Sequence, residues 1–449
     1  MDRPAQFAGI YTDSEFNPIK KPEIFYCRIP NDYLPEPKAV LINGITPQFV
    51  IKKGFNEAEF AKRIYNILTI KRICIVGYNN IQFDDEVTRN IFYRNFYDPY
   101  SWSWKNSNSR WDILNVVRAC YALRPDGINW PKNKDGYASF KLKHLTHANS
   151  IIHSNIHNAI SDVYATIGVA KLVKNKQPKL FEFLFSNRIK EKIISMIDII
   201  GMKPLVYVSN IFGSSRSNIS LILPLAWHPN NNNNLIVVDL SKNLYPLIQS
   251  DIFTLQNSIL EEIPLKLIHL NKCPVLVSIN TLRHQDIIRL KLNIKLCFDN
   301  LELLRHNPEI RKKALILFNK SKSKLADFPN DNVDTKLYDG FFSISDRFKM
   351  KIIQQTNPCL LERLNLKFEN IRLKELLFRY RARNFPDTLN LVEKKYWEIH
   401  RKNIFNEKKI SSFLLEIKLL KQLYNNNPVK IKILKSLYLY AKQLLRVNK

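Results

Sequence analysis

Glycine is scarce in this chain, 10 residues in 449, and neither GxGxxG nor GxxxxGKS/T occurs. The close backbone approach that dinucleotide and P-loop nucleotide sites require is therefore not encoded. The six cysteines (Cys27, Cys74, Cys120, Cys273, Cys297, Cys359) are scattered, with no CxxC pair. That spacing excludes a disulfide framework or a cysteine-based zinc site and fits reduced thiols in a core. No run reaches the ~18 uninterrupted apolar residues that a membrane span needs. The opening MDRPAQFAGIYTD shows no basic stretch followed by an apolar one, so the expected location is the cytoplasm. Acidic residues are in deficit too, 40 against 69 lysines and arginines, a formal charge of +29.

Such an excess attracts polyanions, with nucleic acid the first candidate. Part of the lysine also follows from a Lys-, Asn- and Ile-rich composition of the kind that AT-rich codons produce. Apolar residues make up 45% and aromatics 11% of the chain, enough for real cores, and the length calls for two or three of them.

The first 177 residues read as α/β. Residues 7–12 and 23–28 alternate about the turn signal Asp13–Asn17. A helix over 56–68 starts at Asn56, with Glu59 three residues on, and puts Phe60, Ile64, Ile67 and Leu68 on one face. Ile73–Val76 is short, apolar and β-branched and ends in Gly-Tyr-Asn-Asn, the signature of a buried strand. A helix from about 84 turns Val87, Ile91 and Phe92 inward. Another begins near His157, with Ala159, Val163, Ile167 and Ala170 on its core side. Residues 178–327 carry short β-rich runs (Leu205–Val208, Leu235–Leu240, Leu265–Leu270, Val275–Ile279) between Pro- and Asn-rich turns. Residues 328–449 return to helical periodicity, with a stop at Asn425–Pro428 between segments 410–424 and 429–445.

The chemistry concentrates in the first region. Asp162 lies on a helix otherwise apolar on its core side, five residues after His157. A carboxylate so placed can ligate a hard cation, and a histidine at the helix entry can take a proton from water. Asp84-Asp85-Glu86 follows the strand at 73–76, where α/β sheets place ligand sites. Each acid alone reads more readily as a helix cap or dipole partner, and only their combination points to a site. The crowding of His144, His147, His153 and His157 raises zinc as an alternative, but neither nearby cysteines nor a HExxH helix accompanies it. Arg89, Phe92, Tyr93, Arg94, Phe96, Tyr97, Tyr100, Trp102 and Trp104 interleave basic and aromatic residues. Much of that stretch is expected in the core, with Tyr100 and Trp104 the better platforms for unpaired bases.

The segments GYNNIQFDDEVTRNIFYRNFYDPY, SFKLKHLTHANSI and HNAISDVYAT, with DRPAQFAGIYTDSEFN, PLAWHP, DNVDTKLYDGFF and FRYRARNFPDTL, resemble the bacterial exodeoxyribonuclease I family. That family is a branch of the DEDD superfamily of 3′–5′ exonucleases with a histidine before the last aspartate. The resemblance covers essentially the whole chain. It implies an RNase H-like α/β exonuclease domain, an SH3-like β-rich domain and a C-terminal α-helical domain. It implies a magnesium-dependent enzyme, two ions in the complete site, that degrades single-stranded DNA to nucleoside 5′-monophosphates in repair and recombination. By position, Asp84 and Asp162 resemble metal ligands and His157 the general base. Arg89, Tyr100 and Trp104 match strand-holding positions. Lys141 stands where the family has an arginine on a substrate phosphate, keeping the charge and losing the bidentate fork. Arg124 and Lys203 match basic positions facing DNA or a partner. The acidic C-terminal tail of single-stranded DNA-binding protein is an implied partner, and the chain is expected to be a monomer.

One departure stands out. The family opens with a strand ending in Asp-x-Glu ahead of the segment that DRPAQF matches, whereas here Met1 precedes Asp2-Arg3-Pro4 directly. Two-metal cleavage draws on several carboxylates. Two readings follow: an enzyme whose start lies upstream, or an impaired homologue that only binds single-stranded DNA or its binding protein. A third, an RNA substrate, runs against the three-domain length.

Overall fold

The structure is a computed structural model that describes residues 3–153, 158–257, 263–319 and 332–446. Strand β1 (Gln6–Gly9) pairs antiparallel with β2 (Glu23–Tyr26), Gln6 opposite Tyr26. Between them the Asp13 carboxylate accepts hydrogen bonds from the backbone N–H groups of Glu15 and Asn17 at 2.9 and 2.8 Å, which builds the expected turn. Helix α1 (Glu57–Leu68) starts where the sequence indicates: the Asn56 side chain accepts from the Glu59 N–H at 2.9 Å.

Strand β3 (Cys74–Gly77) runs parallel to β4 (Ser109–Asp112), and the connection between them carries α2 (Asp84–Arg94), as a parallel pair requires a long crossover. The two strand pairs are separate two-stranded sheets among the described residues. Even so, Phe7 of β1, Phe25 of β2 and Ile75 of β3 all pack on one cluster with Phe60, Ile64, Ile91 and Phe92 of α1 and α2. Strand β3 is half-buried at every position, not buried as its apolar run suggests. Its ladder is satisfied on the β4 edge alone among the described strands.

Helix α3 (Ile113–Leu123) follows β4, its first turn capped by Asp112. A short helix α4 (Leu142–Ala148) precedes α5 (Ala159–Lys176), which Asn158 caps. The buried side of α5 is Ala165, Val169, Ala170 and Val173. Of the expected stripe, Ala170 is buried, while Ala159, Val163 and Ile167 are only half-buried. His157 lies outside the described residues.

Helix α6 (Pro178–Ser186) sets Phe181 edge-on to Trp111 at 4.9 Å and leads into a five-stranded antiparallel sheet. Its order is β8-β7-β6-β5-β9, with β5 Leu205–Val208, β6 Ile219–Trp227, β7 Asn234–Asp239, β8 Leu265–His269 and β9 Val275–Ser278. Alternation works here: Leu205, Ile222, Leu235, Val237 and Ile268 face one core, while Val206, Leu221, Leu223, Ile236 and Val238 face the other.

The last region is helical: α7 (Arg372–Asn384), α8 (Leu391–Ile404), α9 (Glu407–Leu423) and α10 (Pro428–Arg446). The break at Asn425–Pro428 falls as expected. Ile410, Phe413, Ile417 and Leu420 of α9 meet Leu434, Leu437 and Ala441 of α10, together with Ile29, Leu34, Val40 and Val50 from the first region. At about 1.5–3 kcal/mol per buried aliphatic or phenyl side chain, that shared core binds the two ends of the chain together.

Charge reinforces the same junction. Asp334 meets Arg379 at 3.0 Å, Arg383 at 2.6 Å and Arg3 at 3.5 Å. Asp32 meets Arg383 at 2.7 Å and His400 at 3.5 Å. Glu57 takes Arg94 at 2.9 Å and Arg3 at 3.0 Å. No helix among the described residues is long and apolar enough to cross a membrane.

Candidate functional site

The acidic run after β3 is sorted by its partners. Gly77 ends the strand where a Cβ would come within 2.6 Å of the Asn80 Cβ, so glycine is needed for so tight a departure. The Asn79 N–H then donates to Asp112 Oδ1 at 2.8 Å, and the Asp85 N–H to the Asn80 carbonyl at 2.9 Å, which fixes the entry into α2. Asp85 points inward and is locked to Arg110 of β4, whose guanidinium also donates to the Asn271 carbonyl at 2.6 Å. Glu86 accepts from Arg89 at 3.1 Å and from the Tyr338 hydroxyl at 2.6 Å. Only Asp84 has no cationic partner among the described residues. The residue is exposed, although neighbouring groups partly desolvate its carboxyl. That desolvation, with the neighbouring Asp85 charge, pushes its pKa up to about 6. The candidate cluster of three acids thus narrows to Asp84.

Asp162 sits in the first turn of α5, 40% exposed, and its Oδ1 lies 2.7 Å from His153 Nε2. No described hydrogen bond or ion pair joins Asp162 to Asp84. Among the described residues no three of His, Cys, Asp and Glu converge as a metal cluster. Two accessible carboxylates are nonetheless the donor set that magnesium uses, since it keeps several waters and takes one or two carboxylates plus substrate phosphate. Their donor chemistry fits such an ion, which Asp84 and Asp162 would hold.

The aromatic and basic stretch divides as its spacing suggests. Phe92, Tyr93, Phe96 and Trp102 are buried, and Arg94 is spent on Glu57. Tyr100 is half-buried with the Arg89 guanidinium 6.0 Å from its ring centre, and Trp104 is 66% exposed. Lys141 is exposed at the N-terminal end of α4. The structure brings Arg89 of α2 and Tyr100 together. Arg124 lies elsewhere, bonded to the Thr281 carbonyl at 3.0 Å and 3.6 Å from Asp286. Lys203 is exposed just ahead of β5.

Sequence reasoning missed two groups. Phe341, 86% exposed, stands edge-on to Tyr100 at 5.8 Å, and Tyr338 reaches back to Glu86. Their only signal was the aromatic pairing in Leu-Tyr-Asp-Gly-Phe-Phe. His153, read only as part of a histidine crowd, proves to be the partner of Asp162.

Residues 1–170 match the family described as Exonuclease, 188–320 the Exonuclease I SH3-like domain and 331–444 the Exonuclease I C-terminal domain. An RNase H-like exonuclease domain followed by an SH3-like sheet and a helical region defines a three-part nuclease. Exodeoxyribonuclease I of Escherichia coli is 52% identical over 454 residues, 99% of this chain and 95% of its own. The crystal structure of E. coli exonuclease I with a dA16 oligonucleotide matches with a TM-score of 0.96 at 52% identity, covering 99% of this chain and 96% of that one. A complex described as ExoI/SSB-Ct matches at 0.93 and 52% identity, with the same coverage. The chain belongs to the exodeoxyribonuclease I family.

Proposed function

We propose that this protein removes nucleoside 5′-monophosphates from the 3′ end of single-stranded DNA with magnesium, in DNA repair and recombination. Its domains are assigned as 1–177, 178–327 and 328–449. The observation that carries the reading is Asp84: an exposed carboxylate at the first position of α2, just beyond β3, with no described counter-charge, in a chain of net charge +29. Such a group is stabilised by a bound cation. Two magnesium ions in the complete site would polarise the terminal phosphate and steady charge on the attacking and leaving oxygens. Asp84 and Asp162 are the chain's ligands for that role, and His157 accepts the proton of the attacking water. Arg89 and Lys141 take backbone phosphates, while Tyr100 and Trp104 stack on bases.

Support for the substrate comes from the relative crystallised with dA16. Support for a partner, the acidic tail of single-stranded DNA-binding protein, comes from the ExoI/SSB-Ct complex. Arg124 and Lys203 are assigned to a basic surface that faces DNA or that partner. The protein is taken to act as a cytoplasmic monomer. A labelled oligonucleotide assay with magnesium, with EDTA, and with His157→Ala tests the reading. Mononucleotide release that EDTA and His157→Ala each abolish is the expected result. Salt-sensitive DNA binding without cleavage would instead identify a chain that only binds.

A further inference from the structure

We propose that His153 is a positioning residue for the Asp162 carboxylate, holding Oδ1 so that the second oxygen is left to face the cation. The inference rests on the reading of Asp162 as a cation ligand and adds the group that aims it. The His153 side chain is 5% exposed, beside an aspartate that is 40% exposed. Its ring is held at both nitrogens: Nε2 is 2.7 Å from Asp162 Oδ1, and Nδ1 is 3.2 Å from Thr146 Oγ1. Thr146 is itself buried, and its hydroxyl donates to the Lys143 carbonyl at 3.1 Å. Nε2–H donates to the carboxylate, and Nδ1 lies against the Thr146 hydroxyl as the second contact of the ring. A ring anchored at both ends cannot swing, and a carboxylate bonded to it loses the freedom to turn about its own axis.

The backbone under His153 is fixed as firmly. The Ile151 N–H donates to the Thr146 carbonyl at 2.9 Å, tying the segment to α4. On the other side a Cβ at Gly168 would meet Ile151 Cγ2 at 2.5 Å, so glycine there lets residues 151–153 lie directly on α5. The histidine thus bridges α4 and α5 and directs one nitrogen to the half-exposed acid of the site. A histidine present only for packing has no need of that acid, because backbone carbonyls would satisfy it equally well. Ligating carboxylates elsewhere depend on such outer partners, whose loss typically lowers metal affinity about 10–100-fold.

The test uses Mn²⁺ alone as probe, followed by electron paramagnetic resonance on the full chain, alongside steady-state kinetics on a labelled oligonucleotide. His153→Phe keeps ring volume and removes both nitrogens. Its Mn²⁺ affinity is expected to fall about 10–100-fold, and the Mn²⁺ needed for half-maximal rate to rise in step. KM for the oligonucleotide should stay within about twofold, since phosphate and base contacts lie elsewhere. His153→Gln, which restores one N–H, should recover part of the affinity, and Thr146→Val should lose a smaller part. Folded His153→Phe that binds Mn²⁺ like the parent, while Asp162→Asn does not, overturns the brace and spares the site. Parent-like Mn²⁺ binding in Asp162→Asn overturns the site reading and the brace with it. If His153→Phe fails to fold, Thr146→Val decides, and unchanged affinity in it overturns the proposal.

Discussion

The acids at the junction of the first and last regions and the acids at the candidate site are handled in opposite ways. At the junction each carboxylate meets at least two basic side chains. Burial works to raise the pKa of Glu57, but Arg94 and Arg3 outweigh it and bring it down to about 2. Asp334 is held well below its ordinary value by Arg383, Arg3 and Arg379 against the same desolvation. At the site, Asp84 is exposed with no described cation, and partial desolvation by its neighbours moves its pKa up. The junction acids are complete as the chain folds, so they serve stability. Asp84 stands exposed with no described counter-charge, open to a partner from outside, which is how a ligand for a metal differs from a structural acid.

The largest expected effect is at the junction. Asp334→Ala would leave Arg3, Arg379 and Arg383 short of their shared partner inside the protein, and stranding buried charge typically costs about 3–5 kcal/mol. Urea unfolding measures it, and a loss below about 1 kcal/mol, the range of exposed pairs, would dissolve the contrast. The pH dependence has a definite sign. The folded pKa of Glu57 is below its ordinary value of 4.5, so the unfolded chain binds the proton more tightly. The stabilisation is complete above that ordinary value and is lost as pH falls toward 2. A urea midpoint followed downward from pH 5 should decline more steeply in the parent than in Glu57→Gln.

Asp84→Asn should do the reverse of Asp334→Ala. Removal of a metal ligand is expected to lower mononucleotide release by about 100-fold or more. The melting temperature in EDTA should hold, because the exposed side chain has no described ion pair to lose. A variant that loses stability and keeps its rate would place Asp84 with the junction acids. Next in size, Trp104→Ala should weaken single-stranded DNA binding by about 1–3 kcal/mol, the range for one stacked base. The dependence on salt should not change, because no phosphate contact is lost.

Local signals in the sequence were reliable where one side chain decides the outcome. Asn56 starts α1, Asp13 shapes the β1–β2 turn, and Asn425–Pro428 separates α9 from α10. They failed where tertiary partners decide. Strand β4 reads Ser-Arg-Trp-Asp, too polar for a strand in isolation, yet Arg110 is neutralised by Asp85 and Asp112 caps the next helix. Strand β6 contains Pro224, which argues against a central strand. The register with β7 shifts between Pro224 and Ala226, and that irregularity accommodates it. Asp84 and Asp162 were legible as candidates. That Asp85 and Glu86 were already engaged was not, since Arg110 and Tyr338 lie far away in sequence. His153 escaped notice because a histidine carries no periodicity to mark its partner.

The smallest expected effect is also the most discriminating about how the strand is gripped. Lys141 is exposed at the start of α4 and presents a single ammonium where a guanidinium would offer a planar fork. Lys141→Arg leaves the charge unchanged, so the number of counterions released on binding, and with it the slope of affinity against salt, should stay the same. What changes is geometry: a bidentate contact to one phosphate at an exposed position is worth about 0.2–1 kcal/mol more, on the scale of solvent-facing ion pairs. Fluorescence anisotropy on an oligonucleotide across a salt series should therefore give two parallel lines, the variant displaced toward tighter binding by less than about fivefold. A change in slope would mean that arginine recruits a further phosphate. Coincident lines would mean that position 141 does not touch the strand, and phosphate contact on this side of the chain would then fall to Arg89.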